Sequence, residues 1–528
     1  MAGDPNDRHD AEISSADVVV VGAGHNGLIA AAYLARAGLQ TVLVESRSSV
    51  GGCASTVTDL GARFNICNCD HTLIRAMPML EELDLSNHGL RYLESEFSMV
   101  NANHDDHSSW VFHHDVEAHL DDLNRTHPAW VGPYRRYLKD ALPVAELALA
   151  VACKPPTTRG ILAEASRLRG RGAARLLRWS RLSAFEVLNQ YFDDWRTWMP
   201  AVATGPTVWG ANPSAPGTGL AAVGYATRHL VRTGRPVGGS GALTDALSRS
   251  FESAGGTTLL GSRVERLDLE GGRVAGVRLV GGHRIRTGRV IAACDPQRVF
   301  HEWIDDTSGV AKIVERWRAL PTHDGYESKL DVVLQQRPVF RHEARLTELL
   351  GRAIDVHSPT TVIAPSPNDL AQAHSLKPTG GVATQPTMLV NIPSVLDPSM
   401  QLNPAEHVLS LEVLFTPYIH EWSVSKEPER WLALLDGLCE PGTLKVDRWR
   451  AMTPDRYERE FGMHRGHTPA FSGPPLESFL GRQPALTRSA SEIGGLHLSG
   501  AATFPGAGIL GAAGRNSALR VLHELKHG

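Results

Sequence analysis

Gly22, Gly24 and Gly27 stand at the spacing that lets a chain cradle a pyrophosphate. The first glycine serves a tight turn, the second a close approach of backbone to ligand, the third close helix–strand packing. A helix that starts there, with Asn26 in its first turn, offers unpaired N–H groups and a positive dipole end to the phosphates. Glu45 lies at the distance for a carboxylate that binds ribose hydroxyls and repels a 2′-phosphate. The elements that must position these residues are legible too. The valine run from Asp17 predicts a buried parallel strand, and a helical segment runs to Ala37. Gly38 sits where a C′ glycine belongs, and Thr41 to Val44 predict a second strand. The unit is a βαβ dinucleotide cradle.

The continuation Glu45-Ser46-Arg47-Ser-Ser-Val-Gly51-Gly52 resembles the E-x-R-x-x-x-G-G run of FAD enzymes in the amine oxidase and phytoene desaturase superfamily. Leu496 to Asn516, LHLSGAATFPGAGILGAAGRN, resembles the C-terminal flavin motif of the phytoene desaturase-like group. The resemblance implies a strand over Leu496–Ser499, then a loop and helix start that place Gly500, Ala501, Pro505, Gly508, Ile509 and Leu510 at the flavin. A third block runs from Arg235 through Gly238-Gly239 and a helix over Ala242–Ala254. It continues through Val264, a Gly271-Gly272 hairpin turn, Val274–Val280 and Val290–Pro296. In relatives the residue matching Val264 touches adenine through its backbone. The implied cofactor is noncovalent FAD. Cys53 stands where many relatives have an arginine, and Arg47 or Arg63 is expected to supply the missing counter-charge to the diphosphate. Phe504 replaces a histidine common in relatives and is expected to make the wall near the flavin apolar.

These motifs predict an α/β fold: a Rossmann-like FAD-binding domain of glutathione reductase type with an inserted α+β substrate domain. The FAD-binding domain is expected over 15–75, 230–300 and 484–528, the substrate domain over 76–229 and 301–483, and a disordered tail over 1–14. A net charge of −4, with 42% hydrophobic and 21% charged residues, points to a soluble globular protein and away from nucleic acid. Six cysteines make no disulfide framework, and Cys67-x-Cys69-Asp70-His71 is not a common zinc spacing, so no metal is expected. A cytoplasmic protein is expected. Two stretches raise peripheral membrane contact: the apolar run 141–153, and residues 159–181, where arginines interleave with Leu176, Leu177 and Trp179.

For chemistry, His71 is the candidate catalytic residue, because Arg63-Phe64-Asn65 looks like a strand whose end reaches the flavin in relatives. His464 and His467 are the second choice. The resemblance implies removal of two hydrogens from a largely apolar organic substrate, a carotenoid or a secondary-metabolite intermediate, by hydride transfer to flavin N5. Ala141–Cys153 and Met388–Ile392 are expected to line a greasy pocket, and oxygen or a quinone to accept the electrons. The alternatives are a flavin amine or amino-acid oxidase, and a non-enzymatic escort-type binding protein.

Overall fold

The computed structural model describes residues 13–67, 69–105, 108–155, 157–204, 210–320, 324–467 and 489–527. β1 (Val18–Val21) and β2 (Thr41–Val44) are parallel neighbours at the centre of a five-stranded sheet. Strand Val290–Ala292 lies on the far side of β1, followed by Leu496–Leu498, and Thr257–Leu259 lies beyond β2, all parallel. β1 and β2 are buried throughout, which is why they read as unbroken valine and leucine runs. Helix α1 (His25–Arg36) packs on this sheet and ends at Ala37, with Gly38 at φ +86° as the left-handed C′ residue. The helix Ala512–His527 crosses α1 so closely that a Cβ on Gly514 would lie 2.2 Å from the Asn26 carbonyl oxygen. The hairpin over Val264–Glu270 and Arg273–Leu279 turns at Gly271 and Gly272, both at positive φ, as its spacing predicts.

A second, seven-stranded sheet contains Val446–Met452, Glu327–Leu334, His407–Leu414, Met388–Asn391, Thr360–Ala364, Met99–Asn103 and Trp110–Phe112 in that order. Its ladders are antiparallel apart from Thr360–Ala364 with Met99–Asn103. The observed α/β fold is thus the expected one, with a parallel sheet and a separate mixed sheet. Register divides the mixed sheet into two faces. Leu330, Val332, Leu411, Val413, Met388 and Val390 make one face largely apolar. The opposite face carries Glu327, Lys329, Asp331 and Glu412, all buried, with Leu389 and Leu414. Between β2 and the mixed sheet, the hairpin β3 (Thr56–Asp59) and β4 (Ala62–Asn65) packs Phe64 against Val333 and Val408.

Three expectations change here. Ile13 packs against the core and the Ser14 carbonyl accepts from Arg286 N–H at 2.9 Å, so order begins inside the expected tail; residues 1–12 lie outside the described residues. The run 141–153 is the last part of the helix Pro128–Ala152 and its C-cap Cys153; Ala141, Val144 and Ala145 are buried in the largest core, and Leu147 is buried too, rather than presented to a bilayer. Residues 159–181 are two short helices, Thr158–Arg167 and Ala173–Trp179, separated where Arg169, Gly170 and Gly172 take positive φ. Trp179 is buried and Arg175 pairs with Asp140, so one long basic helix does not form, while Leu162 and Leu177 stand exposed on the two short ones. No described helix is long and apolar enough to cross a membrane.

Candidate functional site

A cavity of about 780 Å³ opens where the C-terminal ends of β1 and β2 meet the polar face of the mixed sheet. This is where open parallel sheets place ligands. Gly24 is the N-cap of α1, with no side chain capping the helix and no acidic residue in its first turn. A Cβ on Gly24 would meet nothing within 4 Å, so the loop presents bare backbone to open space. The other two glycines work inward. Gly22 has φ +101°, and a Cβ on Gly27 would lie 1.9 Å from the Gly22 carbonyl oxygen.

Glu45, 8% exposed, accepts from Ala23 N–H at 2.8 Å and Arg47 N–H at 2.9 Å. Two carboxylate oxygens still have lone pairs for a ribose diol. Gly22, Gly24, Asn26, Glu45, Ser46 and Arg47 all line the cavity, as do Gly52 and Val264. So do Gly500, Ala501, Gly508 and Ile509 from the second loop. The remaining four named positions stand behind this wall. Gly27 is pressed against Gly22, Gly51 (φ +124°) sits against Ser55, and Leu510 is buried in the α1 core. Pro505 also lies outside the cavity lining. Phe504 is buried and outside the cavity lining, to which its neighbours Ala501, Ala502 and Ala507 contribute.

Of the two arginines expected to replace a charge at Cys53, Arg47 reaches the cavity, its guanidinium 4.3 Å from the Phe461 ring centre. Arg63 points away and donates to the Ser399 carbonyl. Sequence reading missed Arg263, Arg298 and Arg459, which also line the cavity from three separate segments. It also missed His25. Asn26 Nδ2 donates to His25 Nε2 at 3.1 Å, leaving the other ring nitrogen to donate to the Gly508 carbonyl. Burial pushes His25 down to about 4, so a neutral imidazole bridges the two glycine loops. Its position inside the first glycine motif was the available signal.

His71 is not on the cavity wall. It is fully buried, with Nδ1 3.1 Å from Tyr92 Oη and Nε2 3.1 Å from Ser240 Oγ, and its backbone bridges Gly234 in both directions. Burial, reinforced by His25, holds it down at about 3. With both ring nitrogens engaged by Tyr92 and Ser240, the side chain holds those neighbours in place and stands apart from the cavity lining. One residue earlier, Asp70 does line the cavity. Burial opposes its ionisation, but Arg235 at 2.7 Å and Thr360 at 2.6 Å hold it ionised, tying this segment to the mixed sheet. His464 and His467 both line the cavity, and His467 Nδ1 lies 3.1 Å from the Gly325 carbonyl oxygen. Thr468, which follows them, lies outside the described residues.

The wall opposite the glycine loops is the polar face of the mixed sheet, through Glu327, Glu412, Leu389 and Leu414, with Tyr326 beside them. Of the segments expected to make a greasy pocket, Met388–Ile392 contributes Leu389 and Ala141–Cys153 contributes nothing to this lining. Burial raises Glu412 to about 8, reinforced by Glu327 and opposed by Lys329, its cross-strand neighbour. Burial thus favours the neutral carboxylic acid form of Glu412. The wall is mixed, apolar in its aliphatic members and hydrogen-bonding at the two glutamates.

The residues present fit a dinucleotide. An uncapped helix N-terminus faces open space beside Gly52, the Glu45 carboxylate stands at the end of β2, and arginines ring the polar part of the cavity.

The profile of the family described as flavin containing amine oxidoreductase matches residues 27–522. The chain is 28% identical to pyridine nucleotide-disulfide oxidoreductase domain-containing protein 2 of Rattus norvegicus, over 97% of this chain and 94% of that protein. It is 26% identical to a lycopene-forming phytoene desaturase of Pantoea ananas, over 94% and 96%. Among solved structures, a triple mutant of a putrescine oxidase superposes with a TM-score of 0.62 at 17% identity, covering 97% of this chain and 99% of that one, a likeness of fold.

Proposed function

Because the chain belongs to the flavin-containing amine oxidoreductase family, we propose that it is an FAD-dependent dehydrogenase of an organic substrate with a largely apolar body and one hydrogen-bonding end. Its cofactor is FAD, which supplies a two-electron acceptor when bound. The observation that carries the substrate reading is one cavity walled on one side by the glycine loops and on the other by the inner face of the mixed sheet. Gly22, Gly24, Gly52 and the α1 N-terminus would hold the diphosphate, Glu45 the ribose and the Val264 backbone the adenine. Ala501, Gly508 and Ile509 would hold the flavin ring. Leu389, Leu414 and Tyr326 would pack the apolar body, and Glu412, in its neutral acid form, would donate a hydrogen bond to its polar end. The net reaction takes two hydrogens from the substrate and leaves a double bond, and oxygen or a quinone would then reoxidise the cofactor.

The experiment is anaerobic reduction of the yellow holoprotein by candidate substrates, followed by mass analysis. The reading expects a product lighter by two hydrogens. A second reading, oxidation of an amine, is favoured by one observation: two carboxyl groups, Glu327 and Glu412, share a wall with one lysine behind them. Rapid bleaching by a simple amine with aldehyde formation would favour that reading over the first.

A further inference from the structure

Cys53 and Cys67 lie in the same cavity wall, and nothing in the dinucleotide site employs their thiols. We propose that they form a redox-active dithiol, closed into an intramolecular disulfide by a small-molecule disulfide that enters the cavity. Cys53 belongs to the short turn Gly52–Ala54 that follows the second glycine pair, and Cys67 follows β4. The β3–β4 ladder pairs Thr56 with Asn65, and Ile66 N–H donates to the Ser55 carbonyl at 3.0 Å, zipping the two segments together right up to the cysteines. Both thiols pack on the cluster of Ile66, Met452, Tyr457 and Met463, and they hydrogen-bond to each other. Both remain free, and both residues keep part of their surface on the cavity.

The chain also supplies a base. The Cys67 thiol donates to the carboxyl of Glu327, forming a relay Cys53–Cys67–Glu327. The hydrogen bond with Cys53, with burial and the Glu327 charge behind it, raises the Cys67 thiol well above its usual range. Cys67 therefore rests as a protonated thiol, and it becomes a thiolate by passing its proton to Glu327. The thiolate attacks one sulfur of the small disulfide RSSR and expels RS⁻, which takes the proton back from Glu327. Cys53 then attacks Sγ of Cys67, the Cys67–SR bond breaks, and the second RS⁻ leaves with the Cys53 proton. The balance is two protein thiols and RSSR giving one protein disulfide and two RSH. Cys294 lines the cavity from a different segment, after strand Val290–Ala292, and Cys69 faces Asp70 at 3.8 Å.

The test treats the holoprotein with 4,4′-dithiodipyridine, alkylates it under denaturing conditions and maps the peptides. The expected result is a fall from six alkylatable thiols to four, with a cross-linked peptide joining the segments around positions 53 and 67. Cys53→Ser should instead trap a stable mixed disulfide on Cys67, and Cys67→Ala should leave no bridge. Six alkylatable thiols after treatment, or a bridge linking other cysteines, overturns the proposal, and wild-type mapping decides this even where a variant fails to fold.

Discussion

Gly24 and Gly27 sit one helical turn apart, and the structure gives them opposite reasons to be glycine, so substituting each should fail in a different way. At Gly24 the backbone is at φ −70°, ψ 170°, a conformation any residue adopts, and a Cβ would meet nothing within 4 Å. Gly24→Val therefore adds a side chain to empty space, and the cofactor-free fold should change by less than about 0.5 kcal/mol. The same side chain occupies the approach a diphosphate needs. Losing two hydrogen bonds to a charged phosphate, at about 1.5–3 kcal/mol each, removes about 3–6 kcal/mol of binding. That is roughly two to four orders of magnitude in Kd.

At Gly27 a Cβ would lie 1.9 Å from the Gly22 carbonyl oxygen and 3.1 Å from the Ala293 Cβ. Ordinary contact needs about 3.5 Å, so Gly27→Ala must drive α1 off the sheet by more than an ångström. Overpacking of this kind costs about 1–3 kcal/mol before any cofactor is considered. The assay is flavin absorbance after desalting, paired with Tm of each variant and of flavin-stripped wild type. Gly24→Val should be colourless with the Tm of the stripped wild type, and Gly27→Ala should melt below it. A yellow Gly24→Val, or a Gly27→Ala as stable as the stripped protein, would refute the division of labour.

Four further outcomes follow from the same structure. His71→Ala should lower stability by about 2–4 kcal/mol in denaturant titration, through lost packing and two unpaired partners, while flavin content per folded protein stays at the wild-type value. Glu412 has a folded pKa near 8, above its unfolded value, so the native state holds a proton the unfolded state loses as pH rises from about 4.5 to 8. The Tm difference between Glu412→Gln and wild type should therefore grow in the variant's favour across that window and level off above it; a flat difference refutes the assignment. His25, His71, His229 and His342 have folded values of about 4, 3, 4 and 4, below the unfolded value, so stability present above pH 6.5 should drain away as pH falls towards 4, as urea midpoints at each pH will register. Neither NADH nor NADPH should bleach the flavin quickly under anaerobic stopped flow, because the sequence carries one dinucleotide cradle and FAD occupies it.

The cradle was legible because its physics is local. A valine strand, a glycine loop, a helix and Glu45 lie within one stretch, and each glycine has a reason to be there. The facing wall was not legible. Glu327-Ser-Lys-Leu-Asp-Val-Val-Leu alternates like a strand with one wet face, yet all eight residues are buried. Its charged face turns inward, where Lys329 neutralises acids and Arg450 reaches Asp331 at 2.8 Å from the neighbouring strand. No pattern within the segment reveals that. Arg298 and Arg459 were missed for a related reason: their meaning comes from segments that converge only in space. His71 differs in the opposite direction. Its place beside a cavity residue was right, and its side chain turned the other way.

The crossing of α1 by the helix Ala512–His527 sets the order in which this protein can be made. Gly514 N–H donates to Asn26 Oδ1 across 488 positions of sequence, and strand Leu496–Leu498 pairs with Val290–Ala292, itself the neighbour of β1. A ribosome therefore releases the first half of the cradle long before the residues that close it. Until they emerge, the phosphate loop has no second glycine loop opposite it, and His25 has no Gly508 carbonyl to bond. Cofactor loading should thus be a late, post-translational event, and a nascent chain stalled before residue 490 should bind flavin no better than its open loop allows.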